Sequence, residues 1–231
     1  VTPAALRLRL AEVAAHPDAA DAGAGQPGGG HPGAGRSGGG RAGAVRPGVG
    51  EPIFGDEVLA GLDRPPVPAA VLVPVVLGAE PSVLLTKRTS HLAKHAGQIS
   101  FPGGRIDPGD SGAEAAALRE AHEEIGLDPG SVEVLGRLTD HVTGTGYRIT
   151  PVLAVLPPAL TYRLSPHEVD AIFELPMRLV LDPDAPRRQR QHVNGVWRDY
   201  WVWPHPDHFI WGATAAILVQ LAQRLREVPG G

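Results

Sequence analysis

Phe101-Pro102-Gly103-Gly104, a short loop, and then Leu118-Arg119-Glu120-Ala121-His122-Glu123-Glu124-Ile125-Gly126 form the stretch on which the reading of this 231-residue chain turns. Residues 111–125 carry the marks of a helix. Ser111 and Glu114 have capping-box spacing, alanines and Leu118 follow, and Gly126 stands where a left-handed cap belongs. Leu118, Ala121 and Ile125 recur at i, i+3 and i+7 and define the face to be buried. At about 100° per residue, Glu120, Glu123 and Glu124 gather on the opposite side. A plain solvated face has the same spacing, but such a face prefers compensating charges. Glu120 and Glu124 are like charges at i, i+4, which costs a helix roughly a few tenths of a kcal/mol, and Arg119 reaches only Glu123 at i+4. A divalent cation would relieve the rest, since Mg²⁺ takes oxygen ligands and is shared between one or two carboxylates and substrate phosphates. The paired glycines upstream let backbone approach a ligand closely.

Working outward, residues 67–77 and 83–87 are β-branched-rich runs separated by residues 78–82, the pattern of a hairpin. Residues 132–138, 149–155 and 169–174 read as strands, residues 197–203 as a fourth, and residues 209–226 as a long amphipathic helix. This order predicts an α/β (α+β) fold, a mixed sheet sandwiched between helices, because a sheet with two apolar faces needs cover on both. At the front of the chain, Leu6, Leu8, Leu10 and Val13 stand among alanines after Pro3, a short helix whose apolar side seeks a partner. Residues 17–50 are Gly, Ala and Pro with scattered Arg, too poor in large apolar groups to offset backbone ordering. The expected organisation is a helix at 1–16, a flexible linker at 17–50 and a compact domain at 51–228. Removing residues 1–50 is expected to leave activity largely unchanged.

Composition narrows the function. A net charge of −4 gives no basic stripe for nucleic acid, so any phosphate-bearing ligand must be held locally. The absence of cysteine excludes disulfides, thiolate zinc sites and a cysteine nucleophile, and suits a reducing, cytoplasmic setting. No basic-then-apolar leader and no apolar run long enough to cross a membrane occurs, so neither secretion nor membrane insertion is expected.

Taken together, the glycine pair and the acidic helix resemble the Nudix hydrolase family, whose signature is G-x5-E-x7-R-E-U-x-E-E-x-G-U with U bulky and aliphatic. Arg119, Glu120, Glu123, Glu124, Gly126 and Leu127 match it, with Ala121 as a small stand-in at the first U. The loop is one residue longer than the signature. Its upstream glutamate would fall on Ser111 counting back from Arg119, or on Asp110 counting forward from Gly104, so neither register supplies it. The resemblance implies a Nudix-type α/β/α sandwich and a Mg²⁺ or Mn²⁺ cofactor held by Glu120 and Glu124. It also implies catalytic roles for Arg119, Glu120, Glu123 and Glu124, with Glu123 left open as a further ligand or the base. Glu168 and Glu174 are alternative bases from the later chain.

A narrower resemblance, spread over residues 65–220, is to the coenzyme A pyrophosphatase branch. It is carried by Leu84-Leu85-Thr86-Lys87-Arg88-Thr89-Ser90, then Leu92, His95 and Gly97-Gln98-Ile99-Ser100-Phe101. Asp107 and Asp110, Arg148-Ile149-Thr150-Pro151-Val152 and Ile210-Trp211-Gly212-Ala213-Thr214 extend it. This implies cleavage of coenzyme A or its derivatives to 3′,5′-ADP and 4′-phosphopantetheine. Lys87 and Arg88, at a strand end beside the acidic helix, are expected to meet the 3′-phosphate or the diphosphate. His95, Gln98, Gly103 and Gly104 complete the expected substrate-binding set. The alternatives are another nucleoside diphosphate derivative such as ADP-ribose or NADH, or a non-catalytic ligand-binding module. The four tryptophans are expected in core or interface rather than as an adenine platform, and a homodimer is the expected assembly.

Overall fold

The computed structural model describes residues 2–16, 65–90, 97–193 and 196–228, with Val193 and residues 196–198 described in backbone only. The linker expected at 17–50 and the domain start expected near Glu51 lie outside the described residues. The described elements begin with α1 (Pro3–Ala15), β1 (Val67–Val76), β2 (Ser82–Arg88), β3 (Ile99–Ser100), β4 (Gly103–Arg105) and α2 (Ala113–Ile125). Then come β5 (Glu133–Arg137), β6 (His141–Val142), β7 (Tyr147–Leu156), β8 (Val169–Pro176) and the single turn α3 (Met177–Val180). The chain closes with β9 (Arg187–Val193), β10 (Val196–Trp203), β11 (Ile210–Trp211) and α4 (Gly212–Glu227).

The spine of the sheet is β1 against β7, parallel over ten pairs from Val67↔Tyr147 to Val76↔Leu156. Both strands are apolar on both faces because both faces are covered. Ala70, Leu72 and Val76 pack with Val152, Ala154 and Leu156 against α2. Val73 and Val75 pack with Leu153 and Val155 on the opposite face, under α1, α4 and β10. The expected sandwich is thus observed, a mixed sheet with α2 on one side and α1 and α4 on the other.

The hairpin expected from residues 67–87 forms, but its strands part company. Near the turn β1 pairs with β2 at Val75↔Val83 and Val76↔Ser82. Further along, β1 takes β4 as neighbour through Ala69↔Arg105 to Val71↔Gly103, while β2 pairs with β3 and β8. Pro74 falls at the changeover, between the Leu72 N–H donating to the Pro102 carbonyl (2.8 Å) and the pairing of Val76 with β2. A residue without an N–H is tolerated in this central strand because the ladder is interrupted there. The resulting fork holds the candidate site.

Three local readings need correction. The capping box does not form: α2 is capped by Gly112, at φ 151°, with no side-chain hydrogen bond. Glu114 instead meets Arg137 of β5 at 2.5 Å, a charged pair that outcompetes a local cap. β9, with the sequence RRQRQHV, has no apolar alternation to betray a strand; it exists because β10 pairs with it from Val202↔Arg187 to Val196↔Val193. Residues 210–211 pair with β10 as β11, so α4 starts at Gly212, where φ of 61° turns the chain into the helix.

The N-terminal helix is built into the molecule. Leu6 and Leu10 are wholly buried, and Val13 and Ala14 join them in the cluster beneath α4, whereas Leu8 points to solvent. Arg7 pairs with Glu133, Arg9 donates to the Leu225 carbonyl, and Arg224 of α4 donates to the His16 carbonyl.

Candidate active site

Glu124 is the centre of the site and departs most from expectation. It was expected on an open helix face, yet it is 4% exposed, tucked into the fork between β2 and β4. From β4 the Gly103 N–H donates to its Oε2 at 3.2 Å; from β2 the Arg88 guanidinium meets its Oε1 at 3.4 Å. Burial outweighs both partners and pushes the Glu124 carboxyl up to about 7, with Glu120 and Glu168 adding repulsion. Glu120 is also raised, first by burial, against the pull of Arg119 and with further repulsion from Glu123 and Glu168.

The two glycines back the two carboxylates in turn. A methyl group at Gly104 would lie 2.5 Å from Glu120 Oε1, so that carboxylate rests directly on the loop backbone. A methyl group at Gly103 would lie 2.4 Å from the Ala70 carbonyl oxygen, and φ there is 154°, so this position is closed by backbone on two counts. The two substitutions therefore have different expected results. Gly103→Ala lowers the melting temperature. Gly104→Ala meets only the end of a flexible side chain, so the fold is kept while the Glu120 carboxylate is displaced. Its expected signature is a near wild-type melting temperature without metal and a smaller rise on adding Mg²⁺ or Mn²⁺, read by thermal melts.

Arg119 does more than relieve Glu123. Its guanidinium grips Asp110 through Nε and Nη2 at 3.0 Å each and reaches both Glu120 and Glu123 through Nη1 at 3.1 Å; Nη2 also donates to the Arg105 carbonyl at 3.1 Å. This fork keeps Arg119 charged, its pKa raised first by Asp110, and fixes where Glu120 points. Asp110, to which the motif assigns no role, anchors this fork. The signal was the departure itself, an acid on the longer loop where the signature asks for one.

Of the other expected residues, Arg88 is at the site and Lys87 is not. Leu84 and Leu85 face opposite sides of the sheet, so Lys87 shares the side of Leu85 and Arg88 turns towards Glu124. Lys87 is held by Asp170 at 3.2 Å. Gln98 borders the site through its backbone, its carbonyl accepting from the Arg88 N–H at 2.9 Å. His95 lies outside the described residues. Glu168 is close enough for its charge to act on both Glu120 and Glu124. Glu174, paired in register with Leu84, is engaged with Ser82 at the far end of β2.

The segment carrying Glu168 is fastened to the acidic helix. Its Arg163 N–H donates to the Ile125 carbonyl and its Ser165 N–H to the Glu124 carbonyl, each at 2.8 Å, which satisfies two of the four carbonyls a helix end leaves open. Gly126, at φ 65°, provides the expected left-handed cap.

Among the described residues no three His, Asp or Glu side chains form a closed cage for a metal. The charges nonetheless fit a divalent cation. Asp110, Glu120, Glu123, Glu124 and Glu168 face Arg88 and Arg119, an excess of carboxylate focused on Glu120 and Glu124. Mg²⁺ and Mn²⁺ favour such oxygen ligands, and a site with two carboxylates leaves positions for water and substrate phosphates. No described helix is long and apolar enough to cross a membrane.

The chain has relatives among known proteins. A Nudix hydrolase of Escherichia coli K12, NudL, itself described as uncharacterized, is 44% identical over 161 residues, covering 70% of this chain and 84% of its own length. The Shigella flexneri NudL is 43% identical over the same length. Among solved structures, the Mycobacterium smegmatis Nudix hydrolase RenU is 22% identical over 72% of this chain and 89% of its own, with a TM-score of 0.49. The Nudix domain of Shewanella oneidensis NrtR, crystallised with ADP ribose, is 20% identical over 74% of this chain and 96% of its own, with a TM-score of 0.45. The NUDIX domain family model matches residues 66–209, which contain the glycine pair, the fork and the acidic helix, and the chain belongs to the Nudix family.

Proposed function

We propose that this chain is a Mg²⁺- or Mn²⁺-dependent hydrolase that cleaves the diphosphate of a nucleoside diphosphate derivative, and that coenzyme A is its substrate. The observation that carries the hydrolase reading is the pair Glu120 and Glu124, close together, largely removed from water and outnumbering their cations. A structural acidic face has no reason to bury Glu124 at the cost of its charge. The choice of coenzyme A rests on the motifs around residues 84–104, 148–152 and 210–214.

Glu120 and Glu124 would hold the cation, which would supply positive charge for the diphosphate and an acidified water. Arg119, itself fixed by Asp110, keeps Glu120 in place. Gly103 and Gly104 bring backbone close to the diphosphate, and Arg88 is positioned to pass from Glu124 to a phosphate oxygen when substrate arrives. The attacking water gives its proton to Glu168, whose charge acts on both Glu120 and Glu124, while Glu123 is turned to Arg119. Gln98 and His95 complete the proposed substrate contacts, and a cytoplasmic homodimer is the proposed form.

The experiment is incubation of the protein with coenzyme A, with and without Mg²⁺ or Mn²⁺, followed by chromatography. Metal-dependent appearance of 3′,5′-ADP and 4′-phosphopantetheine is the expected result. Folded protein that cleaves ADP-ribose or NADH but leaves coenzyme A intact would remove coenzyme A and keep the hydrolase; no cleavage of any of them would remove both.

A further inference from the structure

The turn that carries Glu168, residues 165–168, has little packing behind it. Pro166 and His167 are exposed and Glu168 is half-buried. A cleft of about 320 Å³ opens beside the turn, lined by Thr89 and Ser90 from the end of β2 and by Leu164, Pro166 and Val169. Within the turn, the Glu168 and Val169 N–H groups both donate to the Ser165 carbonyl, at 3.0 and 2.9 Å. Those bonds close the turn without placing it; two outside ties do that. At one end the Ser165 N–H reaches the Glu124 carbonyl. At the other, the Thr89 N–H donates to the Glu168 carbonyl at 3.1 Å, and the Thr89 Oγ1 donates to the His167 carbonyl at 3.3 Å.

Thr89 is 5% exposed, although it stands just past β2 and Ser90 beside it is open to solvent. A hydroxyl buried there needs an acceptor, and the turn supplies it. Two adjacent residues at the end of β2 therefore serve two carboxylates. The Arg88 guanidinium meets Glu124 itself, and Thr89 grips the backbone on which Glu168 stands. Glu168 in turn is close enough for its charge to act on Glu120 and Glu124. A general base works only within hydrogen-bond reach of the proton it takes, and a misplacement of about 1 Å can cost roughly a hundredfold in rate.

On the reading that Glu168 is the base of a diphosphate hydrolase, we propose that Thr89 is a positioning residue, its hydroxyl holding the turn so that the Glu168 carboxylate stands beside Glu120 and Glu124. Steady-state kinetics in Mg²⁺ buffer test this in Thr89→Val, Glu168→Gln and the double variant, with coenzyme A, or with ADP-ribose should that be the compound cleaved. Valine keeps the shape and loses the hydroxyl. The carbonyl it frees belongs to the exposed His167 and can turn to water, so the melting temperature is expected to move little. The expected kcat falls about tenfold in Thr89→Val with KM within about twofold, and about a hundredfold in Glu168→Gln. The double variant is expected to be no worse than Glu168→Gln, because a base already removed cannot be misplaced. Thr89→Ser, which keeps the hydroxyl, is expected to stay within about threefold of wild type. Should Thr89→Val misfold, Thr89→Ala takes its place in the same cycle. An unchanged kcat in the folded variant, a loss confined to KM, a loss that adds to that of Glu168→Gln, or a serine variant as impaired as the valine one overturns the positioning role. Wild-type turnover in Glu168→Gln overturns the choice of base and the role of Thr89 with it, and leaves the hydrolase standing. A wild-type protein that cleaves neither compound overturns the functional reading as well.

Discussion

Glu124→Gln is expected to lower turnover at least about a hundredfold while leaving the metal-free protein as stable as wild type or more so at pH 8. The activity term follows from removing one of two carboxylates proposed to hold the cation. The stability term follows from the pKa. Burial raises the folded-state value to about 7, so protonated Glu124 is favoured in the folded protein, and that advantage is lost as pH rises through 7. Above it, holding the buried carboxylate ionised costs on the order of 3 kcal/mol. Glutamine removes the charge and keeps one carbonyl oxygen, which accepts from the Gly103 N–H, while its NH₂ takes the place beside the Arg88 guanidinium, a partly exposed side chain able to turn to water. Two measurements check this: thermal melts at pH 8, and the same melts with Mn²⁺, which should raise the wild-type transition and leave that of Glu124→Gln unmoved. A folded variant with near wild-type turnover would remove Glu124 from the site, and one with an unaltered response to Mn²⁺ would remove it from the metal.

Deletion of residues 1–16 is expected to leave the remaining chain unfolded or aggregated, the reverse of the expectation that residues 1–50 are dispensable. Leu6, Leu10 and Val13 are fully or almost fully buried beneath α4 and against β5. At about 1.5–3 kcal/mol for each large aliphatic side chain, their loss approaches roughly the 5–15 kcal/mol that keeps a domain folded. Leu10→Ala is the graded form of the test, expected to cost about 2–5 kcal/mol in a denaturant titration. A truncated protein that melts cooperatively near the wild-type temperature would show that α1 merely rests on the sheet.

The acidic helix, its left-handed stop at Gly126, the longer strands and the layered fold were legible in the sequence because each depends on periodicity or on local chemistry. Residues that lack such a pattern were not. β9 is a strand by virtue of its partner, and Glu114 is an ion-pair member because Arg137 arrives from a distant strand. Asp110 and Arg119 are nine residues apart, joined by a loop whose shape no spacing rule gives.

By itself, then, the sequence determined which carboxylates share a helix and which glycines precede them. The tertiary structure decided their condition. The parting of β1 from β2 opens a fork into which Glu124 is drawn, between Arg88 and Gly103, so a side chain that helical geometry assigns to an open face becomes buried and hard to ionise. Tertiary structure likewise sent adjacent residues to opposite sides of the sheet, Arg88 to the carboxylates and Lys87 to Asp170. Helical and strand periods are properties of a single segment, whereas burial and charge pairing depend on which segments meet, and that is settled only when the chain is packed.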